Sequence, residues 1–155
     1  MNQLIIDDMP ELYAKLKPYI DYLEGLGFYT PNHSYDYFTP GFKDNYEYFN
    51  GWCYKRTDYD HPDGYRNDWV VDLASYTHEP KIEVYTFKIE KKQKYHFIKE
   101  DSYPYIITNN DNGGVYDSKV VDNLKDFKKE IGKYLKLLKT YQERVKKHEL
   151  DKDFA

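Results

Sequence analysis

Asp72 and the later run Glu90-Lys91-Lys92 have the residue types of an acid…acid-x-lysine nuclease centre. There, two carboxylates hold Mg²⁺ and a lysine stands beside the attacking water. The pattern is weakly specific, because acid-x-lysine recurs by chance in a chain rich in Lys and Glu. The proline that usually precedes the first acid is absent, and Glu90 also reads as part of a charged hairpin turn. A metal-dependent nuclease is therefore the catalytic alternative rather than the main expectation.

Other constellations fail on spacing. Asp58, Asp60 and Asp63 before Gly64 invite a calcium-loop reading, but the third acid comes one residue late and the twelfth position is Trp69. A solvated or partner-facing acidic turn fits better, and Asn109–Gly114 is a plain turn by the same test. The histidines His33, His61, His78, His96 and His148 form no H-E-x-x-H and no i, i+4 pair. Cys53 could be a nucleophile only beside a histidine, and its place in a strand-like run favours a small buried filler. Walker A, G-x-G-x-x-G and G-x-S-x-G motifs are absent. No catalytic residue, metal ligand or cofactor is expected from these patterns.

The tyrosines suggest different chemistry. Tyr supplies 19 residues of the 155, more aromatic material than a core of this size easily holds. Codon economy in an AT-rich genome is the alternative account of much of this number. A Tyr ring gives contact area while its hydroxyl tolerates water, as interfaces require. Tyr29, Tyr35, Tyr37, Tyr59 and Tyr76 fall in predicted loops or turn flanks. Tyr35, Tyr37, Asp58, Tyr59, Asp60 and Asp63 are expected to form the centre of a protein-binding patch.

Charge divides along the chain. Residues 117–155 carry 11 Lys plus Arg against 8 Asp plus Glu, whereas residues 1–116 carry 12 against 19 and hold 17 of the tyrosines. The lysines after 117 are interspersed with acids, and the net charge is −4. Both facts argue against direct nucleic-acid binding, because an acidic protein repels a phosphate backbone, and a nucleic-acid-binding protein stands beside the nuclease only as an alternative. One cysteine permits no intrachain disulfide and no zinc ribbon. Residues 1–8 lack a basic region followed by an apolar core, and no window approaches the roughly 20 apolar residues that span a bilayer. A cytoplasmic protein without membrane contact is the expectation.

These residues need elements to hold them. Asp8, Pro10 and Glu11 open a helix whose apolar stripe is Leu12, Leu16, Tyr19 or Ile20, and Leu23. Pro18 predicts a kink or break, and Gly25 and Gly27 the end. Residues 46–55, with Tyr46, Tyr48, Trp52 and Tyr54 on one face, predict a strand. Further strands are predicted over 65–73, 82–89, 95–99 and 103–108. Short spacings without helices between them imply antiparallel pairing. Val120, Leu124, Phe127, Ile131, Tyr134, Leu138, Tyr141 and Val145 form a seven-residue repeat that predicts one long helix over 118–148, capped by Asp117 or Ser118. Part of it is expected to outrun the sheet and project, with Leu138, Tyr141 and Val145 meeting the N-terminal helix or a second copy of the chain.

The expected fold is one α+β domain over 1–155. A four- to five-stranded antiparallel sheet carries a kinked N-terminal helix and the long C-terminal helix on one face. Its expected core joins Trp69, Val71, Leu73, Val84, Phe87, Leu124, Phe127 and Ile131. The expected function is a small acidic, tyrosine-rich protein-binding module or inhibitor. Such motifless acidic proteins are associated with mobile elements. The partner is another protein, and homo-oligomerisation through the C-terminal helix is a further expectation.

Overall fold

Leu12, Leu16, Ile20 and Leu23 recur every three or four residues, and all four are buried on one side of the helix Pro10–Gly25 (α2). The structure, a computed structural model, describes residues 3–33, 45–56, 66–92, 102–109 and 117–154. The six proposed patch residues, Tyr35, Tyr37, Asp58, Tyr59, Asp60 and Asp63, and the strand predicted over 95–99 lie outside the described residues.

The N-terminal helix is kinked, but its break is at Met9, between a short helix Gln3–Asp8 (α1) and α2. Met9, not Asp8, is the N-cap of α2. Pro18 sits inside α2 on its exposed side, where the helix continues through it. Gly27 ends the helix with φ +92. The Gly27 N–H donates to the Glu24 carbonyl and the Phe28 N–H to the Leu23 carbonyl, which closes a Schellman cap and turns Phe28 into the core.

Among the described residues six strands follow, all paired antiparallel: Trp52–Arg56 (β1), Arg66–Ala74 (β2), Pro80–Tyr85 (β3), Phe87–Lys91 (β4), Tyr105–Asn109 (β5) and Ser118–Val121 (β6). Four form a sheet in the order β1-β2-β3-β6, and β4-β5 is a separate ribbon. The run 82–89, expected to be one strand, divides at Thr86. The Thr86 N–H donates to the Asp117 carbonyl, and the Asn109 amide donates to the carbonyls of both Thr86 and Asp117. These bonds hold the point at which the chain leaves one sheet for the other.

Two boundaries differ from expectation for local reasons. Residues 45–49 form a 3-10 turn, and β1 starts only at Trp52. Residues 118–121, expected to be helical, are β6, which suits the β-branched pair Val120-Val121. Val120 matched the seven-residue repeat by coincidence and is 58% exposed. The long C-terminal helix is Leu124–Lys152 (α3), and its cap is Asn123 rather than Asp117 or Ser118. Asn123 Oδ1 accepts from the Asp126 N–H at 2.8 Å, and its amide donates back to the Asp126 carboxylate.

The core lies where α2 and α3 meet the sheet. Val71, Leu73, Val84, Phe127 and Ile131 are buried there together, with Phe87 and Leu124 packed at the margin. Phe127 meets Tyr19 edge-on at 5.0 Å and Tyr22 at 6.0 Å. Trp69 does not belong to this core: it is 54% exposed. Leu138 and Tyr141 are buried within the chain, and the Tyr141 hydroxyl donates to the Tyr105 carbonyl of β5. The β4-β5 ribbon thus carries the second half of α3. Among the described residues no helix is long and apolar enough to cross a membrane.

Candidate functional site

A slip in strand register decides which side chains reach the surface. Trp52 faces Val71, but the next residue, Cys53, faces Trp69, so Val70 is an extra residue in β2. A bulge shifts alternation by one. Asp68 and Val70 point to the core before it and Val71 and Leu73 after it, while Trp69 and Asp72, three apart, share the outer face.

Asp72 organises that face. Its Oδ1 accepts from the Gly51 backbone N–H at 2.8 Å and from the Trp69 indole Nε1 at 2.9 Å. Its Oδ2 accepts from the Tyr85 hydroxyl at 2.7 Å. One carboxylate thereby brackets an indole from its own strand, a phenol from β3 and the turn before β1. Gly51 has φ +74, and a Cβ there would come within 3.2 Å of Asn32 Nδ2 and 3.4 Å of Trp69 Cζ2. Only glycine suits both that backbone and that space.

The neighbouring turns are tied by side-chain amides. Asn50 Oδ1 accepts from the Leu73 and Ala74 N–H groups, each at 2.9 Å, and its Nδ2 donates to the Ala74 carbonyl. It thus supplies ladder partners to the end of β2 beyond the start of β1. Thr30 Oγ1 donates to the Asn50 carbonyl, and Asn32 Nδ2 donates to the carbonyls of Glu47 and Asn50.

A groove of about 670 Å³ lies over this floor, walled by Tyr46, Glu47, Trp69, Tyr76, Lys81 and Glu83, with Asp72 beneath. This volume is in the range of small-molecule ligand clefts, roughly 300–1,000 Å³. Tyr46 contacts the Tyr76 ring at 6.0 Å and the His78 ring at 5.7 Å. Tyr76 is 79% exposed in the β2–β3 hairpin. His78 adopts φ +63 there, and the Ser75 and His78 N–H groups close the turn. Glu83 Oε1 accepts from Ser118 Oγ of β6 at 2.7 Å.

The residues singled out for chemistry are dispersed. Asp72 is in the four-stranded sheet and Glu90 in the β4-β5 ribbon, where it pairs with Lys88 at 3.4 Å and Lys92 donates to Ser102. Among the described residues no three His, Cys, Asp or Glu side chains are grouped to hold a metal ion. Cys53 is buried, with its Sγ donating to the Gly51 carbonyl at 3.2 Å. Burial, then the charges of Asp68 and Asp72, push its thiol up to about 11, the reverse of an activated nucleophile.

A smaller cavity of about 280 Å³ opens between the β3–β4 junction and α3, beside Phe87, Lys119, Glu130, Lys133 and Tyr134. Burial pushes the Glu130 carboxyl up, but hydrogen bonds and charges from Lys133 and Lys119 outweigh it and hold the group below its ordinary value. Those lysines serve Glu130, at 3.0 and 3.1 Å.

Tyr29 and Tyr76 are exposed, as their loop positions suggested. Trp69 was missed as a surface residue because simple alternation assigned it to the core. The one available signal was Trp69-Val70-Val71, apolar residues in succession that a regular half-buried strand does not produce. Compared with known proteins, the chain matches no family model, no curated protein and no solved structure.

Proposed function

We propose that this chain is a small protein-binding module or inhibitor whose contact surface is the outer face of β2 and β3. The observation that carries the reading is Trp69, exposed to 54% yet held by the Asp72 carboxylate. Large aromatic side chains held rigid at a surface lose little entropy on binding and are the commonest anchors of interfaces. Tyr46 and Tyr76 extend the same surface. The acidic turn with Asp58, Tyr59, Asp60 and Asp63, together with Tyr35 and Tyr37, joins the proposal on sequence grounds alone.

The test is affinity capture from native-host lysate on immobilised wild-type chain, with mass identification of the retained protein. Trp69→Ala and Tyr76→Ala should each shorten the lifetime of the complex, while Lys136→Ala on the exposed side of α3 should not. If all three variants hold the partner as the parent does, the surface is wrong. Mg²⁺-dependent nucleic-acid cleavage lost in Asp72→Asn or Glu90→Gln would replace this reading with the nuclease.

Self-association through the end of α3 is a second element of the proposal. It is favoured by Leu150, 51% exposed, and Phe154, 88% exposed. Light scattering of the parent and of a Leu150→Asp, Phe154→Asp variant decides it: a parent that stays monomeric at every concentration removes this element.

A further inference from the structure

Resting on the protein-binding reading, we propose that the groove beside Trp69 accepts an arginine side chain from a basic segment of the partner. Its walls have the chemistry of a cation site. Trp69, Tyr46 and Tyr76 are aromatic, and a ring face attracts a cation placed within about 6 Å of its centroid, indole most strongly. Among the described residues, the charged groups lining the groove are Glu47, Asp72 and Glu83 with Lys81 as cation. From these described residues an anion would meet three carboxylates, whereas a cation meets three attractive charges and one repulsive one.

Preorganisation points the same way. The Asp72 bond pins the indole, Ser118 Oγ holds one Glu83 oxygen, and the Asn32 and Asn50 amides fix the turn that carries Glu47. Little of this has to be ordered when a ligand enters. Arginine fits better than lysine on three counts. Its planar guanidinium stacks on an aromatic face, its five N–H donors can reach carboxylates while stacked, and it is shed from water at lower cost than an ammonium.

The chain carries its own reporter. Of its two tryptophans, Trp69 is exposed in the groove, while Trp52 is fully buried with its indole N–H donating to the Phe49 carbonyl. Titration with a tetra-arginine peptide amide, followed by the two indole N–H resonances, should shift the Trp69 signal saturably and leave the Trp52 signal in place. Tetra-lysine should bind several-fold more weakly, and tetra-glutamate should not bind. Combined Glu47→Gln and Glu83→Gln, at positions that do not build the core, should weaken tetra-arginine binding about tenfold or more.

Absence of a saturable Trp69 shift overturns the proposal, as does equal binding of tetra-glutamate or an affinity unchanged by the paired Gln substitutions. The two readings fail separately. A captured partner still released by Trp69→Ala, with tetra-arginine inert, removes the arginine assignment and keeps the surface. A partner indifferent to Trp69→Ala removes the surface itself.

Discussion

Removing Asp68 should bring the molecule close to its folding limit. Arg56 of β1 and Asp68 of β2 form an ion pair at 2.9 Å with neither side chain exposed. The Tyr134 hydroxyl of α3 donates to the same Asp68 oxygen at 2.8 Å, and the Arg56 guanidinium stands 5.2 Å from the Tyr141 ring centroid. One carboxylate thus joins two strands to the long helix. Asp68→Ala removes that carboxylate from both the buried Arg56 guanidinium and the Tyr134 hydroxyl. Breaking such a pair costs about 3–5 kcal/mol, and the lost Tyr134 bond adds about 1.5–3 kcal/mol because its acceptor is charged. Against a total stability of about 5–15 kcal/mol, the variant should sit at the edge of folding. Urea titration followed by circular dichroism measures the loss. The paired change Arg56→Met, Asp68→Leu should recover much of it, since both charges and their desolvation cost are then gone. An Asp68→Ala loss below about 1 kcal/mol, or a paired variant no more stable than Asp68→Ala alone, would refute the reasoning.

Further outcomes follow from other buried groups. Phe127, with no exposure and two edge-on tyrosines, should cost about 3–5 kcal/mol on change to Ala by transfer and cavity terms; a denaturant titration showing under about 1 kcal/mol would contradict its place in the core. With its thiol raised to about 11 by burial, Cys53 should resist iodoacetamide in the native protein at mildly alkaline pH and react once urea is added, so rapid native alkylation counts against the structure. Glu130 has a folded-state pKa below its ordinary 4.5, so its ionised form contributes stability above that value, and the contribution is lost as pH falls through the folded-state pKa. The stability gap between parent and Glu130→Gln should therefore narrow on acidification, and a gap constant with pH would dispose of the lysine contacts as its cause. Gly51→Ala, at φ +74 with Asn32 and Trp69 in the way, should destabilise by about 1–3 kcal/mol and shift the Trp69 indole resonance; an unchanged resonance would separate Gly51 from the groove.

Local periodicity and long apolar repeats carry the part of this fold that can be read along the chain. The stripe of α2 and the spacing Phe127, Ile131, Tyr134, Leu138 and Tyr141 of α3 follow from the helical period, and each buried stripe could face only one way. Antiparallel pairing follows from strands joined without helices. Where those periods stop is set by contacts between elements distant in the chain. The repeat ran one position too far, into Val120, because a seven-residue spacing does not distinguish the end of a helix from the edge of a strand; pairing with β3 and the Asn123 cap did. Strand 82–89 divides at Thr86 because its partner changes from β6 to β5. The surface of Trp69 and Asp72 depends on one extra residue at Val70. That residue moves an indole from core to solvent and turns an acid read as a metal ligand into a bracket for aromatic rings. A bulge is a relation between two strands, and no window of one strand contains it.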